Sequence, residues 1–97
     1  MALLPGRRTH SRAHTGARAV LRWESEAGVF HLSGQTLNVS ERGLAMETFD
    51  AVPELASVSC SVPALELYGR ALVRYVRRQG LKQIIGLEFF GTPQFGI

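Results

Sequence analysis

Cysteine and tryptophan occur only once each in this 97-residue chain. A single cysteine, Cys60, excludes an internal disulfide. Its setting, Ser57-Val58-Ser59-Cys60-Ser61-Val62, reads as a strand, and a small buried hydrophobe is its simplest role. Acid is missing from residues 1–22, which carry Arg7, Arg8, Arg12, Arg18 and Arg22. Long apolar runs are missing as well. None approaches the roughly 20 residues needed to span a bilayer, and Met1-Ala2-Leu3-Leu4 is stopped by Pro5-Gly6 before it resembles a signal peptide. The expectation is a cytoplasmic protein. No phosphate loop, dinucleotide fingerprint or GxSxG elbow occurs, so the expectation is also a binding protein and not an enzyme.

What is present suffices for one domain. The hydrophobic fraction is 45%, ordinary for a globular protein, and a chain of this length buries roughly 60–65% of its unfolded surface. The net charge of +3 divides unevenly: residues 1–22 hold +5, and the rest holds six basic and eight acidic residues, or −2. A cationic arm on a nearly neutral body suggests an anionic partner, although the same arm reads equally as a solvated tail. Ten of the eleven basic residues are Arg, the side chain suited to bidentate phosphate and guanine contacts.

Helical periodicity is scarce. Short runs rich in Val, Leu, Ile and aromatics predict strands over 17–24, 30–39, 43–48, 57–62, 66–77 and 82–90, separated by Gly, Pro and Asp turn signals. The segment Arg70–Arg77 shows no clean apolar face, and Gly86 within the last run suggests a bend or close backbone packing. Six strands with short connections pair antiparallel, and closure into a small barrel removes their edges. The expected organisation is a flexible basic arm at 1–14 and an all-β barrel at 15–97, with no substantial C-terminal helix. Phe95 and Ile97 are expected to cover the barrel mouth or meet a partner.

Two motifs stand out. Arg8-Thr9-His10-Ser11-Arg12 is an RxxxR, and Asn38-Val39-Ser40-Glu41-Arg42-Gly43 is an NxSxxG. Each alone is common. In this order and spacing, with Tyr68-Gly69-Arg70-Ala71-Leu72-Val73-Arg74 and Ile85-Gly86-Leu87-Glu88-Phe89 behind them, the chain resembles the PilZ domain, a bacterial receptor for cyclic di-GMP. The resemblance runs from Arg7 to about Phe90. It implies a six-stranded antiparallel PilZ-type barrel whose Arg8 and Arg12 contact phosphates and guanines and whose Asn38, Ser40 and Gly43 recognise one base. By the same resemblance, Arg7 favours an intercalated pair of nucleotides, and Arg74 is a further candidate contact that reads equally as a solvated strand arginine. The implied ligand, cyclic di-GMP, has two phosphates and two guanine edges, chemistry that guanidinium groups, a short amide and a hydroxyl can meet. The implied action is signalling to a separate partner protein, and the sequence leaves self-association open.

Other arrangements are weaker. His10 and His14 are four apart but lack a third metal ligand nearby. Ser40 and His31 suggest a triad only on paper, and the Asn38-Val39-Ser40 sequon is better explained as part of a turn. The main rival is nucleic-acid binding by a basic β-barrel, which expects aromatics aligned on one strand face. Trp23, Phe30, Tyr68, Tyr75, Phe89 and Phe90 are scattered instead. A second rival is a PilZ-like adaptor that binds protein without nucleotide.

Overall fold

The structure, a computed structural model, describes residues 16–95. The expected arm at 1–14, with Arg7, Arg8, Arg12, His10 and His14, lies outside the described residues, as does Ile97. The strands are β1 (Arg18–Ser25), β2 (Gly28–Val39), β3 (Gly43–Thr48), β4 (Ser57–Val62), β5 (Leu67–Gln79), β6 (Lys82–Phe89) and a short β7 (Gln94–Phe95). Every pairing is antiparallel. The order β4-β1-β2-β3-β6-β5 is closed by pairing of β4 with β5, giving the expected six-stranded barrel. β7 resumes pairing with the start of β5 at Leu67 and Tyr68 after a bend at Gly91. The segment around Phe95 thus adds a short strand to the sheet.

The observed strands differ from the expected ones mainly at their ends. The β1–β2 hairpin extends to Ser25 opposite Gly28, and the β5–β6 hairpin to Gln79 opposite Lys82. The latter turn has two central residues, with Gly80 first at φ 63°, the position where a II′-like hairpin turn needs positive φ. β5 begins one residue later than expected. Pro63–Leu65 form a 3-10 turn before it, and Glu66 closes that turn in the left-handed region.

Strand interiors alternate. Leu21, Met46, Val58, Cys60, Val62, Leu67, Val73 and Ile85 are fully buried, and their side chains fill the barrel. These are small and medium groups, as the narrow interior of a six-stranded ring requires. Two β-bulges interrupt the alternation. Between β2 and β3 the register steps from Thr36↔Met46 to Asn38↔Ala45, so Leu37 is an extra residue. Between β5 and β6 it steps from Val73↔Leu87 to Tyr75↔Gly86, so Arg74 is extra. A bulge reverses which parity faces inward. Thr36 is buried, yet so is Val39, and Asn38 between them is exposed. Ala71 and Val73 are buried, and Arg74 is then exposed. That reversal explains why Arg70–Arg77 has no clean face in sequence.

Candidate functional site

The β2–β3 connection is built by the NxSxxG residues. The Ser40 N–H donates to the Gly43 carbonyl at 2.8 Å, closing the turn. The Ser40 hydroxyl accepts the Arg42 N–H at 3.2 Å and lies 3.4 Å from the Gly43 carbonyl. The Arg42 carbonyl in turn accepts the Phe89 N–H at 2.7 Å, fastening the turn to β6. Gly43 is not among the positive-φ glycines. Glycine is required for another reason: a Cβ there would collide with the Leu87 carbonyl on β6. Ser40 and Gly43 therefore shape the turn. Asn38, set outward by the Leu37 bulge, differs from them, since its side-chain amide makes no hydrogen bond among the described residues.

These residues line a groove of ≈ 370 Å³ on the outer face of the barrel, over the β3–β6 pair. Its floor includes the small residues Gly43, Ala45 and Gly86, with Ala45 paired to Gly86. Asn38, Ser40 and Arg42 form one wall, and Arg74, Tyr75 and Glu88 the other. Both bulges border it, so the two phase shifts place Asn38 and Arg74 on the same outer face. Gly86 shows the close packing that the sequence suggested, because a Cβ there would overlap the Tyr75 ring. The Arg77 guanidinium lies 4.8 Å from the centroid of that ring.

Electrostatically the groove is mixed. Arg42 and Arg74 against Glu88 leave a surplus of one positive charge among its lining side chains. Arg74 Nε lies 3.3 Å from a Glu88 carboxylate oxygen, with both side chains more than half exposed. An exposed pair of this kind is worth about 0–1 kcal/mol, so Arg74 can exchange Glu88 for another anion at little cost. Small floor, flat aromatic side and exchangeable guanidinium together suit a planar, anionic, hydrogen-bonding ligand.

The chain reaches this region from the N-terminal side. The Gly16 N–H donates to the Thr36 carbonyl at 2.6 Å, the Thr36 N–H to the Ala17 carbonyl at 2.7 Å, and the Ala17 N–H to Thr36 Oγ1 at 3.0 Å. Gly16 is therefore pinned two residues from Asn38 along β2.

Of the sequence-predicted site residues, the structure brings together Asn38, Ser40, Gly43 and Arg74. Arg7, Arg8 and Arg12 lie outside the described residues. Sequence reasoning missed Arg42, Tyr75 and Glu88 as groove residues. Arg42 stood inside the motif at an unspecified position, whereas Tyr75 and Glu88 enter only through the β5–β6 and β3–β6 registers. Among the described residues no three His, Cys, Asp or Glu side chains gather as a metal site needs, and no helix is long and apolar enough to cross a membrane. The chain matches no protein-family model, no curated protein and no solved structure.

Proposed function

We propose that the chain is a PilZ-like receptor for cyclic di-GMP, binding the nucleotide without catalysis and passing the signal to a separate partner protein in the bacterial cytoplasm. The observation that carries this reading is the convergence of Asn38, Ser40, Gly43 and Arg74 on one outer groove with a floor of small residues. A guanine lying on Ala45 and Gly86 would present its edge to the outward-facing Asn38 amide. The surplus of one positive charge in the groove is too little for two phosphates, which assigns most of the neutralisation to Arg8 and Arg12. Arg12 is four residues before Gly16, so the chain between them spans at most about 14 Å, and Gly16 is held beside Thr36. In this reading Arg74 leaves Glu88 for a phosphate, and Arg7 supports a second, intercalated nucleotide.

The test is isothermal titration of cyclic di-GMP into the wild type and into Arg8→Ala and Asn38→Ala, with GMP and single-stranded DNA as controls. The expected result is saturable binding to the wild type, none for GMP, and at least about tenfold weakening in each variant, the loss of roughly 1–3 kcal/mol per bidentate or charge-assisted contact. More than one nucleotide per protomer at saturation supports the role of Arg7, and a ratio of one removes it. A folded wild type that ignores cyclic di-GMP overturns the receptor reading. DNA binding in its place would install the nucleic-acid alternative.

A further inference from the structure

A second concave site lies at the end of the barrel away from Gly16. The β1–β2 hairpin runs on there past the first β2–β3 pair, Gln35↔Glu47, and side chains on its inward parity emerge into solvent. Trp23 and Phe30 stand opposite each other, with ring centroids 5.8 Å apart and 22° between ring planes. With Val52, Pro53 and Ala56 of the β3–β4 connection they line an apolar cavity of ≈ 760 Å³, larger than the ≈ 370 Å³ of the outer groove. The narrow interior has no space for this aromatic pair, so it remains at the mouth. Leu55 beside it is 68% exposed and held at φ 66°, a conformation that costs a leucine energy.

The charge near this cavity is mainly acidic, with Arg22, next to Trp23 in sequence, as the exception. Glu24 lines the cavity, and Glu26, Asp50 and Glu54 are adjacent or nearly adjacent in sequence to lining residues; no Lys or Arg lines it. Arg22 approaches Glu24 at 3.8 Å, and Glu54 accepts the Val76 N–H at 3.3 Å. The carboxylates of Glu26 and Asp50 have no ionic partner among the described residues. Four of the chain's eight acids thus line this apolar cavity or stand next in sequence to residues that do. Two copies meeting isologously through this face would set acid against acid, which disfavours a self-association interface.

We infer that this end of the barrel docks a basic segment of another protein, which inserts a bulky apolar side chain between Trp23/Phe30 and Val52/Pro53 and sets flanking Lys or Arg against the acidic rim. Stacked aromatics and an acidic rim attract the same segment in two ways, through its apolar anchor and through its cations. The inference does not rest on the nucleotide reading.

The test is selection of a phage-displayed random peptide library on the full chain without nucleotide. Selected peptides are then titrated while following the emission of Trp23, the only tryptophan. The expected result is enrichment of apolar anchors flanked by Lys or Arg, a shift in Trp23 emission on binding, and at least tenfold weaker binding to Phe30→Ser and to Asp50→Lys. Asn38→Ala is expected to bind as the wild type does. Asp50 is exposed, so its variant keeps the test decisive if Phe30→Ser fails to fold by circular dichroism. No enrichment, enrichment without basic residues, or affinity indifferent to Asp50→Lys overturns the inference. So does self-association abolished by Asp50→Lys, which would give the face to a second copy, or saturation by a peptide of residues 1–8, which would give it to the chain's own N-terminal segment.

Discussion

Gly43 and Gly86 stand on neighbouring strands of one outer face, and each is glycine for its own reason. At Gly43 a methyl group would meet the Leu87 carbonyl, backbone that cannot withdraw without parting β3 from β6. At Gly86 it would meet the Tyr75 ring, a half-buried side chain that can swing outward. Gly43→Ala is therefore expected to cost about 2–3 kcal/mol and Gly86→Ala about 1 kcal/mol or less, the upper and lower ends of overpacking costs. Denaturant unfolding of both variants checks this, and the reverse order would refute the argument. Lost ligand binding in Gly43→Ala would consequently say little about contact with a ligand. The same holds for Ser40, whose hydroxyl already serves the turn. Asn38 and Arg74 are the discriminating positions. Sequence singled out the motif but could not divide it into turn-forming and outward-facing residues, because that division depends on the Leu37 bulge and on the nearness of β6.

At the scale of elements, the six main strands were legible to within about two residues, because runs of Val, Leu and Ile between Gly, Pro and Asp signals are local features. Strand partners were not. β1 with β4 and β3 with β6 join distant segments, and nothing in one dimension places Trp23 against Phe30 or Tyr75 against Gly86. The bulges were hidden as well, although their trace was visible as the mixed faces of Arg70–Arg77. They also make a sharp prediction. Thr36 and Val39 face inward and Asn38 outward, so removing the extra residue Leu37 leaves a strictly alternating strand with all three on their present faces. Flattening the bulge without a deletion would instead turn Asn38 inward and Val39 outward, at about 1–3 kcal/mol for the buried amide and about 1.5 kcal/mol or more for the exposed valine. The deletion is thus expected to cost only about 1 kcal/mol more than loss of the side chain alone. Leu37→Ala, which keeps the length, is expected to cost under about 1.5 kcal/mol. Comparing the two denaturation midpoints decides whether residue count or side chain matters at position 37.

Across the whole molecule, the closed interior is reported by Cys60. Its side chain is fully buried, and burial pushes the thiol from 9.0 up to about 12. Below pH 9 the folded and unfolded chains both keep the proton, and this contribution to stability is complete. Between about pH 9 and 12 the unfolded chain loses the proton while the folded chain holds it, so stability falls by up to about 1.4 kcal/mol per pH unit. Unfolding free energies of the wild type and Cys60→Ala, measured from pH 8 to about pH 11, are expected to show the steeper alkaline fall only in the wild type. Parallel curves would mean that the thiol is not sealed in. Closure has a further consequence for inheritance. A ring of strands must return in register to where it began, so it works as a parity check on its own sequence. Away from the two bulges, a residue gained or lost within a strand is felt around the whole circle, whereas the hairpin tips at Glu26-Ala27 and Gly80-Leu81 lie beyond it. Descendants of this chain can exchange side chains widely and lengthen their tips, but the number of residues between the tips, the bulges aside, is the trait they must keep.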